Sequence, residues 1–590
     1  MLKRFFISML GSLAAIWISM MLIILLGMMF AIGSVVNAFA GKNAATEVGF
    51  NTVLCLRLDR VVEERTSTPT FYDLINETPQ NQSLADIVSA LAAAKDDDNI
   101  TGLYIACDGA PARIATSEAI RKAVTDFGES GKWVVAYADN YTQGDYYIAT
   151  AADEVYLNPV GGVDLRGLAS GIPFFKGLLD KVGVEMQIVK VGTFKSAVEP
   201  YTMTHMSEAN RLQTHVFLDN IWARIAGSIG ESRGISTDSI NMMADSLATL
   251  TAPERLVEMK LVDALKYRNE LSDYLKDKTG TDRDDDLAMV TVSEYLASGV
   301  EVPNEKSEKN KIAVYYAYGD ITESAKDGIA SDRVVPDILK LADDDDIEAM
   351  VLRVNSGGGS AFASEQIWQA LEVFKGKGKK LYVSMGDYAA SGGYYISCGA
   401  EKIFAQPMTL TGSIGIFGMI PCFKELVNDK LGVNIDYVST NANSSGPNSF
   451  EPLTPFQHAK LQGEVNRGYE LFTSRCAEGR HVSQDSIKAI AEGRVWDGST
   501  ARKIGLVDEL GYLSDAIEAL AEEMGYDKYQ VVAYPDPKTS FWDIVSELNS
   551  QMRINAAKEE LGQYYPVYNR IKEIKDMAPV QARMEEMVIF

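Results

Sequence analysis

GKKLYVSMGDYAASGGYYISCGAEKIFAQP, residues 378–407, has a second and weaker copy in the same chain, GKWVVAYADNYTQGDYYIATAADEVYLNP, residues 131–159. Pro407 falls on Pro159 at an offset of 248 residues (407 less 159), which places Tyr394-Tyr395-Ile396 on Tyr146-Tyr147-Ile148. Each copy reads as an apolar, β-prone run, a turn of small or polar residues, and an apolar helical stretch. Working outward, LADDDDIEAMVLRVNSGGGS (341–360) answers AAAKDDDNITGLYIACDGAP (92–111). Downstream, IPCFKELVNDKLGVNIDYV (420–438) answers IPFFKGLLDKVGVEMQIV (172–189). Strand, helix, strand, helix, strand is the order in both copies. That alternation predicts an α/β fold with parallel sheets and right-handed crossovers.

The copies differ in their polar residues. Ser391 aligns with Gln143. A strand turning sharply into a helix exposes the turn side chain and points the next N–H outward at the positive end of the helix dipole. Such a turn suits a nucleophile at Ser391 and an oxyanion donor at Gly392. Taken alone, a glycine turn that happens to carry a serine explains the same residues. The first copy carries VGTFKSAVEPYT (191–202) with Lys195, and its counterpart near Asn443 to Ser445 has no lysine. One half supplies a serine and the other a lysine. A lysine accepts a proton only when neutral, and its ordinary pKa is about 10.4. Burial lowers that by up to about 3–5 units, and Val191, Phe194 and Val198 are candidate walls for the cleft. Thr193, Ser196 and Ser384 read as turn or packing hydroxyls, and a surface lysine is the plain alternative for Lys195.

A chain of 590 residues holds at least two domains. The predicted division is an anchor over 1–41, a first repeat over 42–300 and a second over 301–590 that ends in a helical tail. Polar stretches at 281–286 and 301–311 mark the boundary, and the tail after Pro535 shows no chemistry. Net charge is −25, which removes the electrostatic footprint of a nucleic-acid binder. The five cysteines lack CxxC spacing and the four histidines lack HExxH spacing, so no disulfide framework, zinc site or other cofactor is indicated. Gly357–Gly359 is not followed by the GK[ST] of a phosphate loop.

Phe5 to Gly41 contains no charged side chain, and Phe5 to Phe30 exceeds the roughly 20 apolar residues that span a bilayer. Lys3 and Arg4 before it predict a cytoplasmic N-terminus, with everything after Lys42 on the far side. A cleavable signal peptide ending at Ala38-Phe39-Ala40 is the alternative; its apolar core would be far longer than the usual ~7–15 residues.

Five segments then carry a resemblance: FKSAVEPYT (194–202), RVNSGGGSAFASE (353–365), GDYAASGGYYISC (386–398), LTGSIGIFG (410–418) and GRVWDGSTARKIGLVDELG (493–511). In this order, on a duplicated frame, they resemble the signal peptide peptidase A (protease IV) family in its long, two-repeat, membrane-anchored form. The resemblance implies two crotonase-like (Clp-protease-like) β-α superhelix domains and a homotetramer that encloses its active sites. It assigns Ser391 as nucleophile, Lys195 as general base, Ser413 as the residue orienting the lysine, and Gly359 with Gly392 as the oxyanion hole. The family's Asn-Ser-Pro-Gly-Gly is Asn355-Ser356-Gly357-Gly358-Gly359 here, a proline replaced by glycine. The last of the five segments reads as a structural end piece. The expected activity is that of a Ser/Lys serine endopeptidase without cofactor, in the bacterial inner membrane and facing the periplasm. Its expected substrates are cleaved signal peptides and other short hydrophobic peptides. A peptide-binding scaffold without turnover is the rival; an acyl-CoA enzyme on the same fold would leave Ser391, Lys195 and the anchor unexplained.

Overall fold

TVLCLRL, ITGLYIAC and WVVAYA are apolar at nearly every position, the pattern of strands covered on both faces. In the computed structural model they form β1 (Thr52–Leu58), β2 (Ile100–Cys107) and β3 (Trp133–Ala138), followed by β4 (Glu154–Leu157). These lie in an all-parallel sheet in the order Met289–Thr291, β1, β2, β3, β4, Ala264–Leu265. The crossovers are α1 (Leu84–Asp96), α2 (Ile114–Gly128) and α3 (Gln143–Ala149). Ser83 and Thr142 cap α1 and α3 by accepting from Asp86 N and Asp145 N. Beyond this sheet come β5 (Glu185–Val191) and the long helix α4 (Glu208–Arg233).

The second copy rebuilds the unit. It runs β6 (Lys311–Tyr318), α5 (Ser331–Asp343), β7 (Ile347–Ser356), β8 (Gly358–Ser360), α6 (Ala361–Gly376), β9 (Lys380–Ala390), α7 (Gly392–Ser397), β10 (Lys402–Ala405), β11 (Leu410–Gly412), β12 (Ile416–Cys422) and β13 (Val495–Asp497). Its main sheet has the order β13, β11, β9, β7, β6, Gln530–Tyr534, with β10 also on β9. All its pairings are parallel except β11 with β13.

A third sheet joins the copies. Its order is Ile329–Ala330, Ile321–Thr322, β8, β14 (Val580–Arg583), β12, β5. Strand β5 of the first copy lies antiparallel to β12 of the second, from Ile416 opposite Val191 to Cys422 opposite Glu185. The tail, expected to be helical, therefore contributes a strand to the centre of this sheet.

Away from that sheet the copies meet through buried polar groups. Glu64 accepts from Arg353 Nε at 3.0 Å, from Arg353 Nη2 at 2.9 Å and from Asn355 Nδ2 at 3.1 Å. Asp387 accepts from Thr116 N at 2.9 Å, Thr116 Oγ1 at 2.7 Å and Asn355 Nδ2 at 3.1 Å. All five cysteines are buried free thiols.

The structure describes residues 48–66, 81–109, 112–300, 310–325, 327–535 and 580–584, with scattered positions before 22, between 554 and 565, and at 588–589. The expected anchor falls mostly outside these residues, although 15–21 are helical. Among the described residues no helix is long and apolar enough to cross a membrane. The polar boundary stretch also lies outside them over 301–309.

Candidate active site

Strand β9 ends at Ala390, and the chain reverses at Ser391, whose φ is +56° and ψ −112°. A non-glycine residue at positive φ costs on the order of 1–3 kcal/mol and persists only where its surroundings impose it. Here Ser391 N donates to Gly412 O at 2.7 Å, and Ser391 O accepts from Tyr395 N at 2.8 Å. The turn must also pass close to its neighbours. A Cβ on Gly392 would stand 2.7 Å from Ser364 Oγ, and one on Gly393 only 2.6 Å from Ser356 O. The Ser391 hydroxyl makes no cap to α7, in contrast to Thr142 on α3.

That hydroxyl is bonded instead to Lys195. Lys195 Nζ lies 2.7 Å from Ser391 Oγ, 3.1 Å from Ser413 Oγ and 3.1 Å from Ser413 O. The lysine is 1% exposed and these partners are uncharged. Burial pushes its pKa well below the ordinary lysine range. A neutral amine carries two hydrogens and one lone pair. The two Ser413 oxygens can accept the hydrogens, leaving the lone pair for the Ser391 proton. The two residues, 196 positions apart, meet within one chain.

Ser391 was expected to be exposed, and it is 0% exposed. Lysine covers it on one side, and the strand β14 runs beside the following glycine: Ala582 O lies 3.0 Å from the position of a Cβ on Gly392. Ser413 is held in its own left-handed turn, φ +50°, with its N donating to Arg494 O at 2.7 Å. Gly359 lies in β8, beside Gly358 at φ +99°. Gly358 N donates to Ser356 Oγ at 3.1 Å, and Gly392 opens α7 directly after Ser391.

Several groups that hold the lysine escape a sequence reading. Gln213, in α4, donates from Nε2 to Phe194 O at 3.2 Å and Ser196 Oγ at 3.1 Å, and accepts from Val495 N at 3.1 Å. It thereby clamps both neighbours of Lys195 to β13. No motif marks it. Gly493 and Gly415 form the wall of the cleft: a Cβ on Gly493 would stand 2.7 Å from Lys195 Cβ, and one on Gly415 3.2 Å from Lys195 Cδ. The GRVWDG segment, read as an end piece, thus packs against the lysine, and Phe194 instead lies under the Arg494 guanidinium at 4.9 Å. Ser384 accepts from Arg353 at 2.9 Å, away from the lysine.

In the first copy the matching turn is closed. Gln143 Oε1 accepts from Arg166 N at 2.9 Å and Gly167 N at 3.0 Å, and its Nε2 donates to Gly167 O at 3.0 Å. The side chain is spent on stapling a loop.

Known proteins match both copies. The model of peptidase family S49 matches residues 126–282 and 373–527, and that of the Clp protease family matches 319–411. Protease 4 of Haemophilus influenzae is 34% identical over 592 residues, covering 96% of this chain and 93% of that protein. The chloroplastic serine protease SPPA of Arabidopsis thaliana is 28% identical, over 85% of this chain and 74% of its own. A putative signal peptide peptidase SppA of Enterococcus faecium is 30% identical over 247 residues, 41% of this chain and 72% of that one. With the family's unit present twice and the similarity running nearly end to end, the chain belongs to peptidase family S49, as a serine peptidase on an α/β, Clp-protease-like fold.

Proposed function

We propose that the chain is a membrane-anchored endopeptidase in which Ser391 and Lys195 form the catalytic dyad. The observation that carries this reading is the wholly buried Lys195 amine, 2.7 Å from Ser391 Oγ with no carboxylate among its partners. The Ser391 proton passes to Lys195 Nζ as Oγ attacks the scissile carbonyl. Ser413 holds the amine in line. The tetrahedral oxyanion is taken by the N–H groups of Gly359 and Gly392, and removing one such donor typically costs about 10²–10³-fold in kcat. Lysine then returns the proton to the leaving nitrogen, and water resolves the acyl-serine. With β14 displaced, the edges of β8 and β12 that it occupies here would hold an extended peptide in its place, which selects unfolded chains over folded proteins.

The substrate class we assign, cleaved signal peptides and other short hydrophobic peptides, is supported by the name carried by the Enterococcus relative. The anchor over 1–41, domains of 42–300 and 301–590 with crotonase-like superhelical form, a homotetramer and a periplasm-facing site in the bacterial inner membrane complete the reading. They rest on the apolar N-terminal sequence and on the family resemblance. A fluorophosphonate probe should label the chain, and Ser391→Ala should remove both label and peptide hydrolysis. Labelling that survives Ser391→Ala would place the nucleophile elsewhere. Protease added to intact spheroplasts should digest the chain after Lys42; protection until lysis would overturn the topology.

A further inference from the structure

Four residues after Lys195, in the same segment, stands Glu199, which is 3% exposed. A buried carboxylate needs hydrogen-bond donors around it. Three come from the start of α4: Ser207 N at 3.0 Å, Ser207 Oγ at 2.6 Å and Asn210 Nδ2 at 3.2 Å. Glu199 N in turn donates to Ser196 O at 2.8 Å, beside the lysine.

A carboxylate only accepts, and that fixes the polarity of the two amides beyond it. Asn210 turns Nδ2 to Glu199, so its Oδ1 faces Gln213 and accepts from Gln213 Nε2 at 3.2 Å and from Thr214 Oγ1 at 3.4 Å. Gln213 thereby points Nε2 at Phe194 O and Ser196 Oγ, on the two neighbours of Lys195, and Oε1 at Val495 N. Reversed, the Gln213 amide would set its oxygen against Phe194 O and Asn210 Oδ1, and its NH2 against the Val495 N–H. The path starts in the lysine's own segment, runs through α4 and returns to both sides of the lysine. Asn210 and Gln213 are 1% and 3% exposed, which keeps water from replacing these bonds.

From this closed path, and resting on the Ser391/Lys195 reading, we infer that Glu199 is a positioning residue, which through Asn210 and Gln213 holds Lys195 Nζ against Ser391 Oγ. Glu199 does not bond to the amine itself, whose partners are Ser391 and Ser413. The other charged groups around the segment do not reach Nζ either. Lys190 Nζ donates to Lys195 O at 3.5 Å, the Arg494 guanidinium covers the Phe194 ring, and Glu492, whose carbonyl accepts from Phe194 N, is exposed. Burial is what depresses the Lys195 pKa, so a segment that loosens lets its amine titrate at higher pH.

The test measures kcat, KM and the pH limb of kcat/KM for the full chain on a fluorogenic tetrapeptide, per folded molecule, with the folded fraction read from near-ultraviolet circular dichroism. Glu199→Leu, which offers no acceptor, should lose about 10²-fold in kcat with KM within about twofold of the parent, and its limb should move to higher pH. Glu199→Gln can still accept from Asn210 Nδ2 while its NH2 donates to Ser207 Oγ, and should stay within about threefold of the parent. Gln213→Met should repeat the loss seen in Glu199→Leu. The double variant should lose no more than the worse single one, because both act on one path. Parent kcat and parent limb per folded molecule in Glu199→Leu would reduce Glu199 to a stabilising residue and overturn the inference. So would a Glu199→Gln as damaging as Glu199→Leu, or losses that multiply in the double variant. If Glu199→Leu does not fold, Asn210→Ala cuts the path at its middle and must show the same loss and limb shift. Parent-like activity in Lys195→Ala would overturn the dyad reading as well; an inactive Lys195→Ala beside a parent-like Glu199→Leu sinks this inference alone.

Discussion

Among the described residues Lys195 has no ionic partner, and that decides what it can do. Under the proposed mechanism kcat/KM rises with pH through the depressed lysine pKa, because the free enzyme must hold the amine neutral. Lys195→Arg should be nearly as damaging as Lys195→Ala, a loss of about 10²–10⁴-fold, since guanidinium keeps its charge and cannot serve as a base. Near-parent activity in Lys195→Arg would remove the lysine from the chemistry. The same burial costs stability. Below the depressed pKa the folded chain must carry a buried charge, and between that value and the ordinary one near 10.5 the unfolded chain binds the extra proton. The penalty is thus full at low pH and disappears as pH rises past the ordinary value. Lys195→Met should melt above the parent at pH 7, with the gap narrowing as pH rises toward the ordinary value near 10.5. A gap independent of pH would show that the gain comes from packing alone.

At the scale of elements, the site depends on how closely backbones approach. Gly493 has φ +77°, and a Cβ there would meet Lys195 Cβ at 2.7 Å and Cα at 2.8 Å. Gly493→Ala should push the lysine segment off Ser391. A displacement of about 1 Å at a reacting group can cost about 10²-fold, so a loss of that order in kcat/KM is expected with circular dichroism unchanged. Parent-like activity would mean that the β5–α4 connection yields without moving the amine. Gln143→Ala, at the matching turn of the first copy, removes three loop hydrogen bonds. It should lower stability by about 1–3 kcal/mol while kcat/KM stays at the parent value, because the turn holds no lysine. Equal loss of activity in Gln143→Ala and Ser391→Ala would contradict the division of labour between the copies.

Across the whole molecule, the two copies are locked by a buried ion pair as well as by the shared sheet. Glu64 is 6% exposed and Arg353 2%, with Asn355 and Asp387 continuing the network. Removing one member of a buried pair strands the other, at a cost of about 3–5 kcal/mol. Glu64→Ala should therefore shift the urea midpoint strongly and loosen the serine-bearing half from the lysine-bearing half, with activity falling before secondary structure does. A change within about 0.5 kcal/mol, the range of ordinary surface substitutions, would mean that β5 on β12 alone holds the copies together.

Much of this was legible in the chain's local pattern. The duplication, the alternating strands and helices, the serine at a strand-to-helix turn and the unmatched lysine are all encoded in residues near one another, where periodicity and turn chemistry act. The tertiary structure alone decided that β5 pairs with β12, residues about 230 positions away, and so brings Lys195 to Ser391 in one chain. It also decided that Ser391 is buried, that Gln213 clamps the lysine segment from a helix without a motif, and that a five-residue piece of the tail pairs with the glycine-rich strand β8. Those outcomes depend on which distant strand edge a segment meets and in which register. Edge pairing is made by backbone groups that every residue shares, so side-chain pattern does not announce it.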